Sequence, residues 1–130
     1  MSVEHPNALL ARAAWEAVSA SDLETLAHVC ADDLVWHASG RGSRSGDYRG
    51  RSAVLEYLAA IGDAAERFDS RLDHVLVNEN LVAVLFHVTG KRRSRVLDTD
   101  FILLFRVAAG RIAEVWAVPR DQHAVDEFWR

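Results

Sequence analysis

The spacing of apolar residues changes midway along the chain and separates a helical half from a sheet half. After Pro6, with Asn7 as the predicted N-cap, Ala8, Ala11, Trp15 and Val18 recur every three or four residues, which predicts an amphipathic helix. Ser21-Asp22-Leu23-Glu24 has the form of a capping box. Behind it, Leu23, Leu26, Ala27 and Cys30 make the apolar face of a second, short helix that Asp32-Asp33 closes. Leu34–His37 then reads as a short strand, and Gly40–Gly50, with four glycines and three arginines, as a long loop. Ser52 is the expected cap of a third helix, whose stripe runs through Val54, Tyr57, Ile61, Ala64 or Ala65, and Phe68.

Beyond that point the period shortens to two. Leu72–Val77, Leu81–Thr89, Val96–Val107 and Ile112–Val118 are rich in β-branched and aromatic residues and predict strands. Turns fit at Asn78-Glu79-Asn80, at Gly90 with the following basic run, and at Ala108-Ala109-Gly110. Connections this short join antiparallel neighbours, so the strands form a meander, and Asp121–Trp129 adds a closing helical turn. The fold class is therefore α+β, with helices on one face of the sheet. A twelve-residue strand must coil strongly, and a coiled sheet with helices on its concave side encloses a cavity. Phe101, Leu103 and Phe105 alternate with Ile102 and Leu104, so both faces are apolar in part. One face packs on helices; the other predicts a homodimer through the outer sheet face.

The totals narrow the function classes. At 130 residues the chain has the length of one domain with one core, and residues 1–130 are read so. A net charge of -4, with a pI near 5.8, argues against nucleic acid as partner. No stretch approaches the roughly 18 apolar residues of a membrane span. The opening MSVEHPNALLARAAW has no basic region leading into an apolar run, so the expected location is cytoplasmic. Cys30 is a lone cysteine at an apolar position, which predicts buried filler.

Several residues carry candidate chemistry. His37, where the first strand meets the loop, can accept a proton near neutral pH; adjacent strand residues point oppositely, so either Trp36 or His37 faces inward, and the pattern does not choose between them. Asp100, on a strand that otherwise reads Val96, Ile102 and Leu104, is expected to have a raised pKa and to serve as an acid; Asp98 lies nearer the turn and solvent. His87 is expected as a satisfied core group, or as half of a dyad if it meets Asp100 across the sheet. Trp15, Trp36, Tyr57, Phe68 and Trp116 are the aromatics expected around the cavity, suited to a flat hydrophobic ligand. Two basic patches, Arg41, Arg44, Arg49 and Arg51, then Lys91, Arg92, Arg93 and Arg95, read as solvated loops, the first able to gate the pocket. His5, His28, His37, His74, His87 and His123 show no zinc-ligand spacing, and no phosphate loop or Ser-His-Asp signature is present, so neither metal nor cofactor is expected.

Asp32–His37, the loop ending Gly46-Asp47-Tyr48-Arg49-Gly50-Arg51, and Gly110-Arg111-Ile112-Ala113-Glu114-Val115-Trp116 followed by Asp121 and Phe128-Trp129 together resemble the SnoaL-like branch of the NTF2-like, ketosteroid isomerase-like superfamily. The resemblance implies a cone of three N-terminal helices on a strongly curved, mainly antiparallel sheet with an interior pocket. It also implies a small-molecule enzyme of the isomerase or cyclase kind, working by proton transfer on a polyketide- or steroid-like substrate. Counting back from Gly40, the position of the isomerases' general base is His37. Their helix tyrosine is replaced by Ala14 or Trp15, and their strand acid corresponds to Asp98 or Asp100. The missing tyrosine keeps a second expectation open, a non-catalytic module for a hydrophobic metabolite. A third is a structural dimer with a filled interior.

Overall fold

The computed structural model describes residues 4–130; the first three, part of the segment read for a leader, lie outside them. Helix α1 spans Pro6–Ser19 and buries Ala8, Ala11, Ala14, Trp15 and Ala17. Its N-cap is His5 rather than Asn7: the His5 ring accepts the Asn7 amide at 3.0 Å, and Pro6 takes the first helical position, where its missing N–H costs nothing. Helix α2 is Leu23–Val29, and Asp22, not Ser21, caps it by accepting from the Thr25 amide. Ser21 has φ of 55°, so its backbone makes the turn between the helices instead.

Strand β1 runs Cys30–Ala38, longer than expected, because Cys30 leaves the helix and opens the strand. Cys30 is 1 % exposed, and burial pushes its thiol pKa up to about 11. The predicted loop contains a second strand, β2, Gly46–Arg49, folded back antiparallel on β1. Helix α3, Arg51–Ala64, starts at Gly50, whose φ of 91° makes it a backbone cap without Ser52. It ends before Phe68, which belongs to β3, Arg67–Asn78. Strands β4 (Leu81–Arg92), β5 (Arg95–Ala108) and β6 (Arg111–Pro119) follow, and the closing helical turn expected at Asp121–Trp129 is a fourth helix, α4 (Gln122–Phe128), added to the three N-terminal ones.

The sheet is six-stranded, in the order β2-β1-β6-β5-β4-β3, with only the β1–β6 pair parallel. Irregular register between Leu72 and His74 and between Arg106 and Val107 bends it. The concave face carries Val82, Val84, Phe86 and Val88 of β4 against Leu103 and Phe105 of β5, all under 9 % exposed. Helix α1 lies across β3 to β6, α3 against β1 and β2, and α4 against β5 and β6. Among the described residues no helix covers the opposite, convex face. Among the described residues no helix is long and apolar enough to cross a membrane.

Candidate functional site

Between the helices and the concave face lies a hollow of about 120 Å³. That is near the size of an engineered cavity of roughly 150 Å³ that stays dry and admits benzene. Its floor is sheet: Trp36 and Ala38 of β1, Phe86 and Val88 of β4, Phe101 and Leu103 of β5, Ala117 and Pro119 of β6. Tyr57, Leu58 and Ile61 of α3 close one side, and Phe68 and Trp129 another. An adjoining hollow of about 210 Å³ shares Val18, Leu58, Ile61, Phe68, Phe86 and Leu103 with it and reaches Trp15.

Apart from the aromatic side chains of Trp36 and Tyr57, the polar lining comes from the β1–β2 loop and α4. Ser39 donates from its hydroxyl to Gln122 Oε1 at 2.5 Å, and Gln122 Nε2 donates to the Ser39 carbonyl at 3.1 Å and to Asp126 Oδ1 at 2.9 Å. The Arg41 amide donates to Asp126 Oδ2 at 3.2 Å. The Arg44 guanidinium stands over the Trp129 ring, 5.5 Å from its centroid. These contacts stitch the loop to α4, and Ser43 reinforces them by donating to the Trp129 carbonyl at 2.7 Å. Gly40 makes the approach possible: a Cβ there would fall 2.5 Å from Asp126 Oδ1 and onto Gln122.

Four of the five aromatics expected at the cavity reach it or its neighbour, and strand parity turns the fifth away. Trp36, Tyr57 and Phe68 line the hollow, and Trp15 lines the adjoining one. Tyr57 stacks on Tyr48 at 3.9 Å, and its hydroxyl pKa is raised by burial. Trp116 lies on the convex face, stacked with His37 at 5.4 Å.

His37 and Asp100 do not meet at the hollow, contrary to the expectation that both project into it. Successive strand residues point to opposite faces. Trp36 takes the concave side of β1, and His37 therefore takes the convex side. There its Nδ1 lies 2.7 Å from Asp47 Oδ1 and its Nε2 2.5 Å from Glu114 Oε2. Arg106 in turn donates to Glu114 at 3.2 Å.

Asp100 shares a face with the exposed Ile102, and its partner is His87, whose Nδ1 is 2.7 Å away; His87 Nε2 bonds Asp98. The expected raised pKa of Asp100 is corrected here: His87 foremost, helped by Arg120 at 3.6 Å, holds it below the usual carboxylate range. His87 is thus paired with Asp100, as the dyad alternative had it, but it borders water and not the core. Both imidazoles are raised above their ordinary pKa, His37 by Asp47 and then Glu114, His87 by Asp100 and then Asp98. Only the imidazolium can donate from both nitrogens, so each triad is complete when its histidine is protonated. Each ring directs its two nitrogens at different carboxylates, so the donors diverge. Among the described residues no group of three His, Cys, Asp or Glu side chains is placed to hold a metal.

The two triads give the protein a pH dependence with a defined sign. Raised histidines stabilise the fold fully below their unfolded pKa of about 6.5, and lose that contribution as pH rises through the higher folded values. Glu114 and Asp100, both lowered, contribute above roughly pH 4 and lose it as pH falls through their folded values. Thermal melts should therefore show a maximum Tm between about pH 4.5 and 6.5 and a decline above it. The double variant His37→Gln, His87→Gln should flatten that decline; an unchanged slope would exclude the triads as its source.

Residues at the hollow that the sequence pattern did not single out are Ser39, Gln122, Asp126 and Trp129. They come from segments about 85 positions apart and meet only in the folded chain. The available signal was weak: Asp121 capping a last helix, with Phe128-Trp129 at its end.

The SnoaL-like domain family model matches residues 11–115. The solved structure of Bal32a, from a soil-derived mobile gene cassette, is 29 % identical over 96 % of this chain and 97 % of its own, with a TM-score of 0.91. An NTF2-like protein from Burkholderia xenovorans superposes with a TM-score of 0.81 at 18 % identity, covering 96 % of each chain. TerC, co-crystallised with polyporic acid, superposes with a TM-score of 0.83 at 17 % identity, over 95 % of this chain and 98 % of its own. No curated protein sequence matches. With a family match over most of its length and a six-stranded cone of the NTF2-like type, the chain belongs to the SnoaL-like domain family.

Proposed function

We propose that this chain binds a small, largely apolar molecule in the hollow between its helices and the concave sheet face. The observation that carries the proposal is the segregation of the lining: hydrocarbon and aromatic walls, with Ser39, Arg44, Ser45, Gln122 and Asp126 gathered at the loop–α4 end. That distribution suits a ligand with an apolar body and one polar end. Its fold-mate TerC was crystallised with polyporic acid, which is in keeping with an organic guest. Turnover of the isomerase or cyclase kind requires a titratable group at the guest. Asp126 is the carboxylate in the lining, and both its oxygens are already engaged by Gln122 and the Arg41 amide; the Tyr57 hydroxyl, also in the lining, is held in its protonated form by burial and is no base at neutral pH. His37 and Asp100 lie across the sheet. Binding without turnover is accordingly the better supported of the two readings.

A panel of one- to three-ring compounds should raise the Tm of the wild type, by the equivalent of about 2.7 kcal/mol at a hundredfold excess over Kd. Ala117→Phe, which fills the hollow from the sheet side, should abolish the response. His37→Ala and Asp100→Asn should retain it. The proposal fails if no compound shifts the melt, or if the shift survives Ala117→Phe and disappears with His37→Ala.

The convex face supports a second element of the proposal, pairing of two copies through it. Ile102, Val118 and Leu76 are 40 to 59 % exposed there, beside the half-buried Leu85, Leu104 and Trp116. Light scattering after gel filtration should give the mass of two chains, and Ile102→Lys with Val118→Lys should reduce it to one. A single-chain mass for the wild type would end this part of the proposal.

A further inference from the structure

The polar side chains at the loop–α4 end of the hollow satisfy one another, and Arg44 is the exception. Gln122 Nε2 donates to the Ser39 carbonyl and to Asp126, the Ser39 hydroxyl to Gln122 Oε1, and the Ser45 hydroxyl to the Ser39 carbonyl at 2.9 Å. A guanidinium carries five N–H donors and no acceptor. Most arginines of this chain meet a carboxylate or a backbone carbonyl, as Arg51 meets Asp32 at 2.8 Å and Arg92 the Arg130 carbonyl at 2.9 Å. Among the described residues the guanidinium groups of Arg41, Arg44 and Arg93 do neither, and Arg41 and Arg93 are exposed. Arg44 is half-buried and is the one cation in the lining.

Two walls of the hollow locate its charge. The guanidinium lies over the ring of Trp129, 5.5 Å from the centroid. On the other side, the Arg44 carbonyl accepts from the Tyr48 hydroxyl at 3.1 Å, and Tyr48 is stacked on Tyr57. Burial and then Tyr48 push the Tyr57 hydroxyl pKa up, and the Arg44 charge opposes them. Arg92, 6.0 Å from the centroid of the same Trp129 ring, adds to the positive field; desolvation foremost, then Arg93, Arg95 and Arg44, lower its pKa. Partial withdrawal from water without an anion is costly for a guanidinium, and an aromatic face offsets only part of it.

We infer that the molecule held in the hollow is a monocarboxylate whose charged end pairs with Arg44. This rests on the binding reading above and deepens it by naming the guest's chemistry. A planar carboxylate matches the fork of a guanidinium, which can hold both its oxygens. One cation balances one negative charge, and Asp126 on the same rim disfavours a second, so a phosphate dianion fits less well. The apolar walls take the hydrocarbon body. Arg44 thereby becomes a specificity-determining residue, separating aromatic and alicyclic acids from neutral compounds of the same outline.

The matched probes 2-naphthoate and 2-naphthamide test this, since they share an outline and differ in charge. Calorimetry on the wild type at neutral pH should give the carboxylate about tenfold tighter binding than the amide. Raising sodium chloride from about 0.05 to about 0.5 M should narrow that preference, because a pair at a half-open rim is screened. Arg44→Met keeps an unbranched stem beside Trp129 and removes the charge, and should bring the two affinities within about twofold. Arg44→Lys restores the charge without the fork and should recover a preference of about threefold. Equal affinities in the wild type, a preference that ignores salt, or one that survives Arg44→Met would overturn the inference and leave the binding reading standing. So would failure of both probes where a neutral compound of the panel still raises the Tm. Failure of every compound would overturn both.

Discussion

Replacing Phe105 with alanine should cost about 3–5 kcal/mol of stability, the range for truncating a fully buried aromatic side chain. Phe105 is 1 % exposed at the centre of the sheet, opposite Val82 on β4 and Val115 on β6, which are themselves fully buried. Its ring bridges three strands, so the space it leaves cannot be closed by one neighbour moving inward. For a chain of this size the loss corresponds to a drop in Tm of roughly 10–20 °C. Val96→Ala, on the same strand but at a residue 75 % exposed, should stay within about 0.5 kcal/mol. Urea denaturation of both variants checks the pair. Similar losses at the two positions would mean that the core is not centred where β4, β5 and β6 meet.

Gly40→Ala should be the most damaging change at the mouth of the hollow. Gly40 has φ of 96°, where a side chain is strained by about 1–2 kcal/mol, and a methyl there would collide with Gln122 and Asp126. Moving those side chains breaks the Gln122 bonds to Ser39 and Asp126, each worth about 1 kcal/mol net. The expected total is about 2–4 kcal/mol, with loss of the ligand-induced rise in Tm. Gly46→Ala is the appropriate comparison. Its φ is 135°, but nothing lies within 4 Å of the added methyl, so only backbone strain is incurred. Chemical denaturation should rank Gly40→Ala well below Gly46→Ala; equal effects would show that the loop–α4 stitching contributes little.

The positions that were readable beforehand, and those that were not, share a physical explanation. Long runs of period two gave β3 to β6 and the cavity-forming face, because Val82, Val84, Phe86 and Val88 hold one phase for four successive pairs. Trp36 and His37 could not be assigned to a face, since so short a strand is satisfied equally by either phase. The choice is made by non-local pairing, Trp36 opposite Val115 and His37 opposite Trp116 on β6. Asp100 was placed wrongly for a related reason. Its companions Ile102 and Leu104 are apolar although they face outward, so the pattern on β5 does not distinguish inside from outside. The β2 strand was hidden by glycines that serve as turns at Gly46 and Gly50 rather than as a continuous loop. Ser39, Gln122 and Asp126 left no local trace, because side chains that complete one another from distant segments have no shared periodicity.

The single peptide link between Trp36 and His37 joins two chemically separate surroundings. Trp36 borders the hollow, while His37, one residue on, borders the carboxylates of Asp47 and Glu114 on the other face, where salt and acidity act on it. Because the backbone between them is shared but their surroundings are not, a substitution at Trp36 alters the lining of the hollow and leaves the His37–Asp47–Glu114 cluster in place, and a substitution at His37 does the reverse. The hydrogen-bonded sheet acts as a partition between an apolar interior and a titratable exterior.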